Sequence, residues 1–285
     1  MIKSEIRLAS DLHLEFYLDK ILSGKENSSN LADKIFSPDI KDVNSHLVLA
    51  GDIVLIKHLR EFVPFFENLS NRFKNVIWVF GNHEWYSNKM KKERLQDVEN
   101  ILSSFKNIHI LENKHIELDE YLFIGATLWS DINNGDYLTA LDVVSVSNDY
   151  KKITYKEGNR YSKLRPRHVS MMFKKSEQFI KSTLIKYKES GLVKVVVTHH
   201  PPMKEAVPEE YRFSKDYWSD FGNFDFEYLK NNEIEPDFWL HGHIHKNQKF
   251  IIGKTVILSN TYGYDDEFDK SHLNENYTNL FLSNH

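Results

Sequence analysis

The sequence predicts an α/β layered domain. Three observations predict it. Short apolar runs rich in β-branched and aromatic residues read as strands buried on both faces. Apolar stripes spaced at three to four residues lie between them and read as helices. Polar clusters of Asp, His or Asn stand directly after five of the runs, at the strand ends where α/β sheets bind ligands.

The expected strands cover 6–9, 47–50, 76–80, 122–124, 193–197, 238–240 and 256–258. One helical stripe runs through Phe62, Phe66, Leu69 and Phe73, with Pro64 suited to its first turn. A second uses Leu95, Val98, Leu102 and Phe105. A third uses Phe173, Ile180, Leu184 and Tyr187. Core packing accounts for all three stripes. Three polar stretches read as long loops, at about 19–44, 131–167 and 201–223. No repeat or linker breaks the chain, so one domain over 1–285 is expected.

Composition narrows the chemistry. Of 285 residues, 41% are hydrophobic and 27% charged, an ordinary globular balance that sets disorder aside. No apolar run is long enough for a membrane span, and residues 1–6 lack the apolar core of a signal peptide. The cytoplasm is therefore the expected location, and no membrane partner is expected. With no cysteine, disulfides and thiolate metal sites are excluded, and any metal must be held by His, Asp, Glu or Asn. A net charge of −4 argues against a protein that coats nucleic acid, though bound divalent cations would reverse the sign at a nuclease site.

The five clusters are Ser10-Asp11-Leu12-His13, Gly51-Asp52, Gly81-Asn82-His83-Glu84, Thr198-His199-His200 and His241-Gly242-His243-Ile244-His245. Imidazole and carboxylate donors suit Mn, Fe, Co, Ni or Zn. Asp11 and His13 are two residues apart, as are His243 and His245. In extended backbone each pair would point one way and grip one ion. Gly242 permits close backbone approach. Asp52, following a glycine, is the natural carboxylate to bridge two ions. Singly these motifs are weak, but five in order, each after an apolar run, form a specific pattern.

In that order the clusters resemble the pattern of the calcineurin-like metallophosphoesterases: D-x-H, G-D, G-N-H-[DE], an isolated H, and G-H-x-H. Ser10 to Glu15, Gly81 to Tyr86, Gly125 to Trp129 and Asn148-Asp149-Tyr150 further resemble a bacterial and phage metallophosphatase subgroup. The resemblance implies a four-layer sandwich of two mixed β-sheets flanked by helices. It implies two divalent metal ions, Mn first, with Fe, Zn, Ni or Co also compatible. One ion would take Asp11, His13, Asp52 and His245, and the other Asp52, Asn82, His199 and His243. His83 would stand near the leaving-group oxygen, with Glu84 orienting its ring. Glu84 itself departs from the commoner Asp, and Leu55 stands where many relatives carry an Asp. His200 and His241 adjoin ligands and are expected to have supporting roles.

The implied activity is a hydrolase reaction: a phosphomonoester or phosphodiester is cleaved by a metal-bridging hydroxide, with a nucleotide or another small phosphorylated molecule as substrate. A second reading is a nuclease or nucleic-acid end-processing enzyme. Its basic groove would use Lys89, Lys91, Lys92 and Arg94 together with Lys151, Lys152, Arg160, Lys163, Arg165 and Arg167. A third is a non-catalytic metal-binding interaction module. Asn148, Tyr150, Arg160, Tyr161, Arg165, Arg167, His168, Tyr211 and Trp218 are candidates to reach the substrate from the loops. Oligomeric state is not encoded in any feature of the sequence.

Overall fold

The fold is that of a computed structural model, which describes residues 4–264. Its strands are β1 (Glu5–Ala9), β2 (Ser45–Ala50), β3 (Asn75–Val79), β4 (Lys89–Met90), β5 (Ile108–Ile110), β6 (Lys114–Leu118), β7 (Tyr121–Ala126), β8 (Thr154–Glu157), β9 (Arg160–Lys163), β10 (Val193–Thr198), β11 (Phe238–His241), β12 (Gln248–Ile252) and β13 (Thr255–Ser259). One sheet, ordered β1-β2-β3-β5, is parallel throughout. The second, ordered β12-β13-β11-β10-β7-β6, is mixed, with antiparallel pairs at both edges. All seven expected strands are present within these two sheets.

The two sheets pack face to face because their central strands are apolar on both sides. Ile6, Leu8, Val48, Ala50, Ile77 and Val79 point inward against Phe123, Val195, Val197, Leu240 and Leu258. The alternate residues Leu47, Leu49, Trp78 and Phe80 point outward, where helices Ser28–Ile35, Val63–Arg72 and Lys92–Ile101 cover them. On the other outer face, Leu122, Ile124, Val196 and Trp239 meet helix Pro166–Lys186 through Phe173, Ile180 and Leu184. Helix, sheet, sheet and helix form four layers. Pro64 and Pro166 each sit in a first helical turn, where their missing N–H costs nothing.

The expected loops are more structured than their composition suggests. The 19–44 stretch carries helix Ser28–Ile35, whose Leu31, Ala32 and Ile35 are buried; three apolar residues are too few to stand out as a stripe. The 201–223 stretch is built from three short 3-10 turns. The 131–167 stretch holds helix Tyr137–Val146 and the strands β8 and β9. Those strands join β4 in a third sheet, ordered β4-β8-β9. The β8–β9 hairpin turns locally at Gly158-Asn159, whereas the β4–β8 pairing spans some sixty residues and leaves no local trace in sequence. Among the described residues no helix is long and apolar enough to cross a membrane.

Phe66 shows how the core supports what lies above it. It is fully buried and stacks on Trp78, with centroids 5.0 Å apart. Phe66→Ala should lower the unfolding free energy by about 3–5 kcal/mol, through lost transfer energy plus a cavity. Urea denaturation checks this, and a loss below about 1 kcal/mol would contradict the packing described.

Candidate metal centre

Five strands of the two facing sheets end at one cleft. β1, β2 and β3 bring Asp11, His13, Asp52 and Asn82; β10 and β11 bring His199, His243 and His245. Two groups of donors lie close enough to hold an ion. They are Asp11, His13 and His245, and Asp52, His199 and His243, with ligand atoms within 4.8 Å in each group. A third group, His13, Glu15 and His83, adjoins the first. His13 Nε2 lies 3.2 Å from His245 Nε2, and His243 Nδ1 lies 3.2 Å from His199 Nε2.

The backbone beneath these donors is unusual. The expected extended conformation does not hold: Asp11, His13, Asp52, His243 and His245 all have positive φ, between 45° and 71°. Each such residue costs about 1–2 kcal/mol. Side chains two apart converge here because the chain turns sharply at each one, not because strands continue. Main-chain hydrogen bonds between the loops hold the turns. Asp11 N–H donates to Gly51 O at 2.9 Å, His13 N–H to Asp52 O at 3.0 Å, and Gly242 N–H to His199 O at 3.0 Å. Strain of this kind concentrates at functional sites. Gly51 has φ 88°, and a Cβ there would overlap the His199 ring. A Cβ on Gly242 would crowd Asp11 Oδ2 at 2.7 Å, so the close approach expected of that glycine is real.

Outer partners set which atoms face the cleft. His199 Nδ1 donates to Ala50 O at 3.0 Å, a tautomer assigned from that contact, and this leaves the Nε2 lone pair facing inward. Asn82 Nδ2 donates to Asp149 Oδ1 at 2.8 Å, which turns Asn82 Oδ1 inward to 3.0 Å from His199 Nε2. Asp52 Oδ2 lies 3.4 Å from the same nitrogen. Three acceptors therefore face one another in a buried site, and only a proton or a cation can reconcile them. Burial alone would keep His199 neutral, but the Asp52 and Asp11 carboxylates overcome it and raise its pKa to about 10. Burial also opposes the charge on Asp52, yet His199 and His83 hold it well below the usual carboxylate range. The donor set fits a borderline divalent cation.

His83 is half-buried at the cleft. Its main-chain N–H donates to Asp52 Oδ1 at 2.8 Å, and its ring stacks on Tyr86 with centroids 4.1 Å apart. Burial works against a charged ring, but the Asp52 and Glu15 carboxylates prevail and raise its pKa. Glu84 does not orient it. The Glu84 carboxylate accepts main-chain N–H groups of Gly81 (2.7 Å), Ile53 (2.8 Å) and Asp52 (3.0 Å), with Trp78 Nε1 at 3.4 Å. It ties two ligand turns together from behind. Burial and the neighbouring Asp52 push the Glu84 carboxyl up to about 8.

The carboxylate that does face His83 is Glu15. Its Oε1 lies 3.5 Å from both His83 Nδ1 and His13 Nδ1. Burial opposes its charge, but these two imidazoles hold Glu15 down to about 2. The resemblance marked Glu15 and Asp149 without assigning either a role. His199 belongs to the donor group. Its neighbour His200 packs its ring 4.2 Å from that of His243 and lies 3.3 Å from Thr127 O, and burial lowers its pKa to about 3. His241 is fully buried with Nδ1 at Gly242 O.

The cleft encloses about 270 Å³. Its lining includes Asp52, Asn82, His83, His243 and His245 together with Tyr211, Ser214, Asp216, Asp220 and Tyr264. The Tyr264 ring centroid lies 4.6 Å from those of His13 and His245. A larger groove beside Tyr137, Ala140 and Met171 has no His, Asp or Glu in its lining, so chemistry and not volume selects the site. Of the loop residues expected to reach substrate, Tyr211 lines the cleft. Tyr150 is buried in the core, and buried His168 stacks on Tyr155. Trp218 packs against Tyr217 and Phe221. Arg160 and Tyr161 lie on the third sheet.

Comparison with known proteins places this geometry. Residues 5–247 match the calcineurin-like phosphoesterase family. An uncharacterized protein of Acanthamoeba polyphaga mimivirus is 30% identical over 273 residues, 92% of each chain. Phosphopantetheinyl hydrolase from Mycobacterium tuberculosis shares the fold with a TM-score of 0.64 at 17% identity, covering 99% of this chain and 98% of its own. A Staphylococcus aureus protein described as a candidate 5′-nucleotidase has a TM-score of 0.50 at 13% identity, covering 90% of this chain and 48% of its own.

Glu84→Ala should leave three buried N–H groups without partners and lower stability by about 3 kcal/mol or more. Thermal and urea unfolding check this. Full stability with a loss of kcat alone would instead restore a role for Glu84 on His83.

Proposed function

The chain belongs to the calcineurin-like phosphoesterase family of metal-dependent phosphoester hydrolases, and on that premise we propose that it hydrolyses a phosphate ester of a nucleotide or other small phosphorylated molecule at a pair of divalent metal ions. The observation that carries this reading is the convergence of two donor groups on one cleft. Asp52 stands 3.4 Å from His199 in its own group, and its main-chain oxygen accepts from His13 N–H of the other group at 3.0 Å. One ion would take Asp11, His13, Asp52 and His245; the other would take Asp52, Asn82, His199 and His243. Mn is the first choice, and Fe, Zn, Ni or Co suit the same donors.

When bound, such a pair supplies a Lewis acid for the phosphoryl oxygens and lowers the pKa of water. The chain's own residues do the rest. Glu15 and Tyr86 hold the His83 ring, and the Nδ1 contact with Glu15 leaves Nε2 to give a proton to the leaving oxygen. Ala50 O and Asp149 fix the inward faces of His199 and Asn82. Tyr211, Ser214 and Tyr264 also line the cleft and suit a flat or hydroxylated leaving group. The cleft is at the small end of ligand pockets, in keeping with one nucleotide-sized group. Because donors come from both sheets, this reading treats the chain as one domain. A cytoplasmic setting is part of the same proposal.

Two outcomes follow. Asp52→Asn should abolish Mn-dependent hydrolysis of both a chromogenic phosphodiester and its matching monoester, read as paired initial rates, while the folded chain persists. Whichever ester the unsubstituted protein prefers separates diesterase from phosphatase, and turnover that survives the substitution would sink the two-metal reading. His83→Asn should lower kcat by about 10²–10⁴ with metal content retained. The raised His83 pKa sets the sign of the pH effect: the proton donor is present below that pKa and lost as pH rises through it. The alkaline limb of the kcat profile should therefore vanish in His83→Asn.

A further inference from the structure

The two basic runs of the chain come together in the third sheet. β4 pairs with β8 and β8 with β9, so Lys89 lies beside Thr154, which pairs in turn with Lys163. Residues 86–94 and 149–167 hold eleven Lys and Arg against three acids, a formal +8 within a chain of net charge −4. The three acids are already engaged: Glu93 with Lys156, Glu157 with Arg167, and Asp149 with Tyr86 and Asn82. Just beyond the patch, Arg94 meets Asp97. Lys89, Lys152, Arg160, Lys163 and Arg165 are exposed. Charge asymmetry of this kind is the footprint of a polyanion partner.

The basic sheet runs into the candidate metal centre. Ser87 N–H donates to Lys152 O at 3.1 Å, which joins the sheet to the turn after His83. Lys152 Nζ sits 4.9 Å from the centroid of the Tyr86 ring, and Tyr86 stacks on His83. Farther out, Lys89 Nζ sits 4.8 Å from the centroid of Tyr161, a ring that is 46% exposed. Cations interleaved with aromatic rings are how proteins bind single strands, with charge for the phosphates and ring faces for the bases. The small cleft has room for one nucleotide and none for a duplex. Asp216 and Asp220 line the cleft but are not part of the sheet, so a polyanion is favoured along the sheet.

We propose that the β4-β8-β9 sheet is a docking surface for single-stranded nucleic acid, which runs over the exposed Tyr161 ring and Lys152 and presents a phosphate at its end to the cleft beside His83. The proposal rests on the phosphoester hydrolase reading above and names a substrate class for it.

The test uses the full chain with Asp52→Asn, which blocks turnover, and a fluorescent oligothymidylate of about twelve nucleotides, a length within the reach of such surfaces. Fluorescence anisotropy should show binding that weakens steeply from low to physiological salt. Adding Arg160→Glu, Lys163→Glu and Arg165→Glu should raise Kd at least about tenfold, because several phosphate contacts are lost together. In the chain with a native Asp52, the same three changes should cut oligonucleotide hydrolysis relative to small-diester hydrolysis by a similar factor. Lys152→Ala, read the same way, covers the case in which the triple variant does not fold. Binding that ignores both variants would overturn the proposal. So would tighter binding of a duplex of equal length, or binding of phosphatidylserine vesicles without binding of the oligonucleotide. Failure of small-ester hydrolysis with oligonucleotide binding intact would count against the hydrolase reading alone.

Discussion

Everything at this site follows from acceptor atoms that face one another where water is excluded. His199 Nε2, Asn82 Oδ1 and Asp52 Oδ2 meet within 3.4 Å, each turned inward by a bond on its outer side or by the backbone that carries it. Left to itself the arrangement is repulsive, and a buried charge of one sign is among the costliest things a protein can hold. A cation resolves it. The rise in His199 pKa has the same origin, since the Asp52 and Asp11 carboxylates favour positive charge at this point.

Such an arrangement persists only if the backbone cannot relax. Five of the seven expected ligands sit at positive φ, and inter-loop hydrogen bonds lock them there. Glu84 is the tie behind that lattice, binding the Gly81 turn to the Asp52 turn. Beneath it, Trp78 touches Glu84 and rests on Phe66. The interface of the two sheets sets the remaining geometry, because β1, β2 and β3 supply one part of the donors and β10 and β11 the other. Core packing thus becomes ligand spacing.

How much of this the sequence announces depends on the range of the interaction. Central strands such as β2 and β10 are legible because both faces are buried, which leaves unbroken apolar runs. The residues that converge on the cleft stand out in the sequence because each closely follows such a run. Glu84 is misread because a carboxylate beside His83 invites a catalytic role, while its partners at Gly81, Asp52 and Ile53 are set by a turn that exists only in the fold. Glu15 and Asp149 are silent for the same reason, since they act on His83 and Asn82 across separate elements. β4, β8 and β9 are hard to read because they are short, partly exposed and polar, and because β4 pairs with a β8 that lies far along the chain; the β8–β9 hairpin itself is local, around Gly158-Asn159. The two basic runs are legible in the sequence as a candidate groove, and the pairing of β4 with β8 is what brings them side by side.

The central claim is that Asp52 holds two ions in one centre. Electron paramagnetic resonance of the chain titrated with Mn²⁺ tests it most directly, together with the Mn²⁺ bound per chain. Two ions per chain with an exchange-coupled signal are predicted, because a shared carboxylate brings the ions within about 3.5–4 Å of each other. One ion per chain, or two with the spectrum of isolated Mn²⁺, would contradict the account.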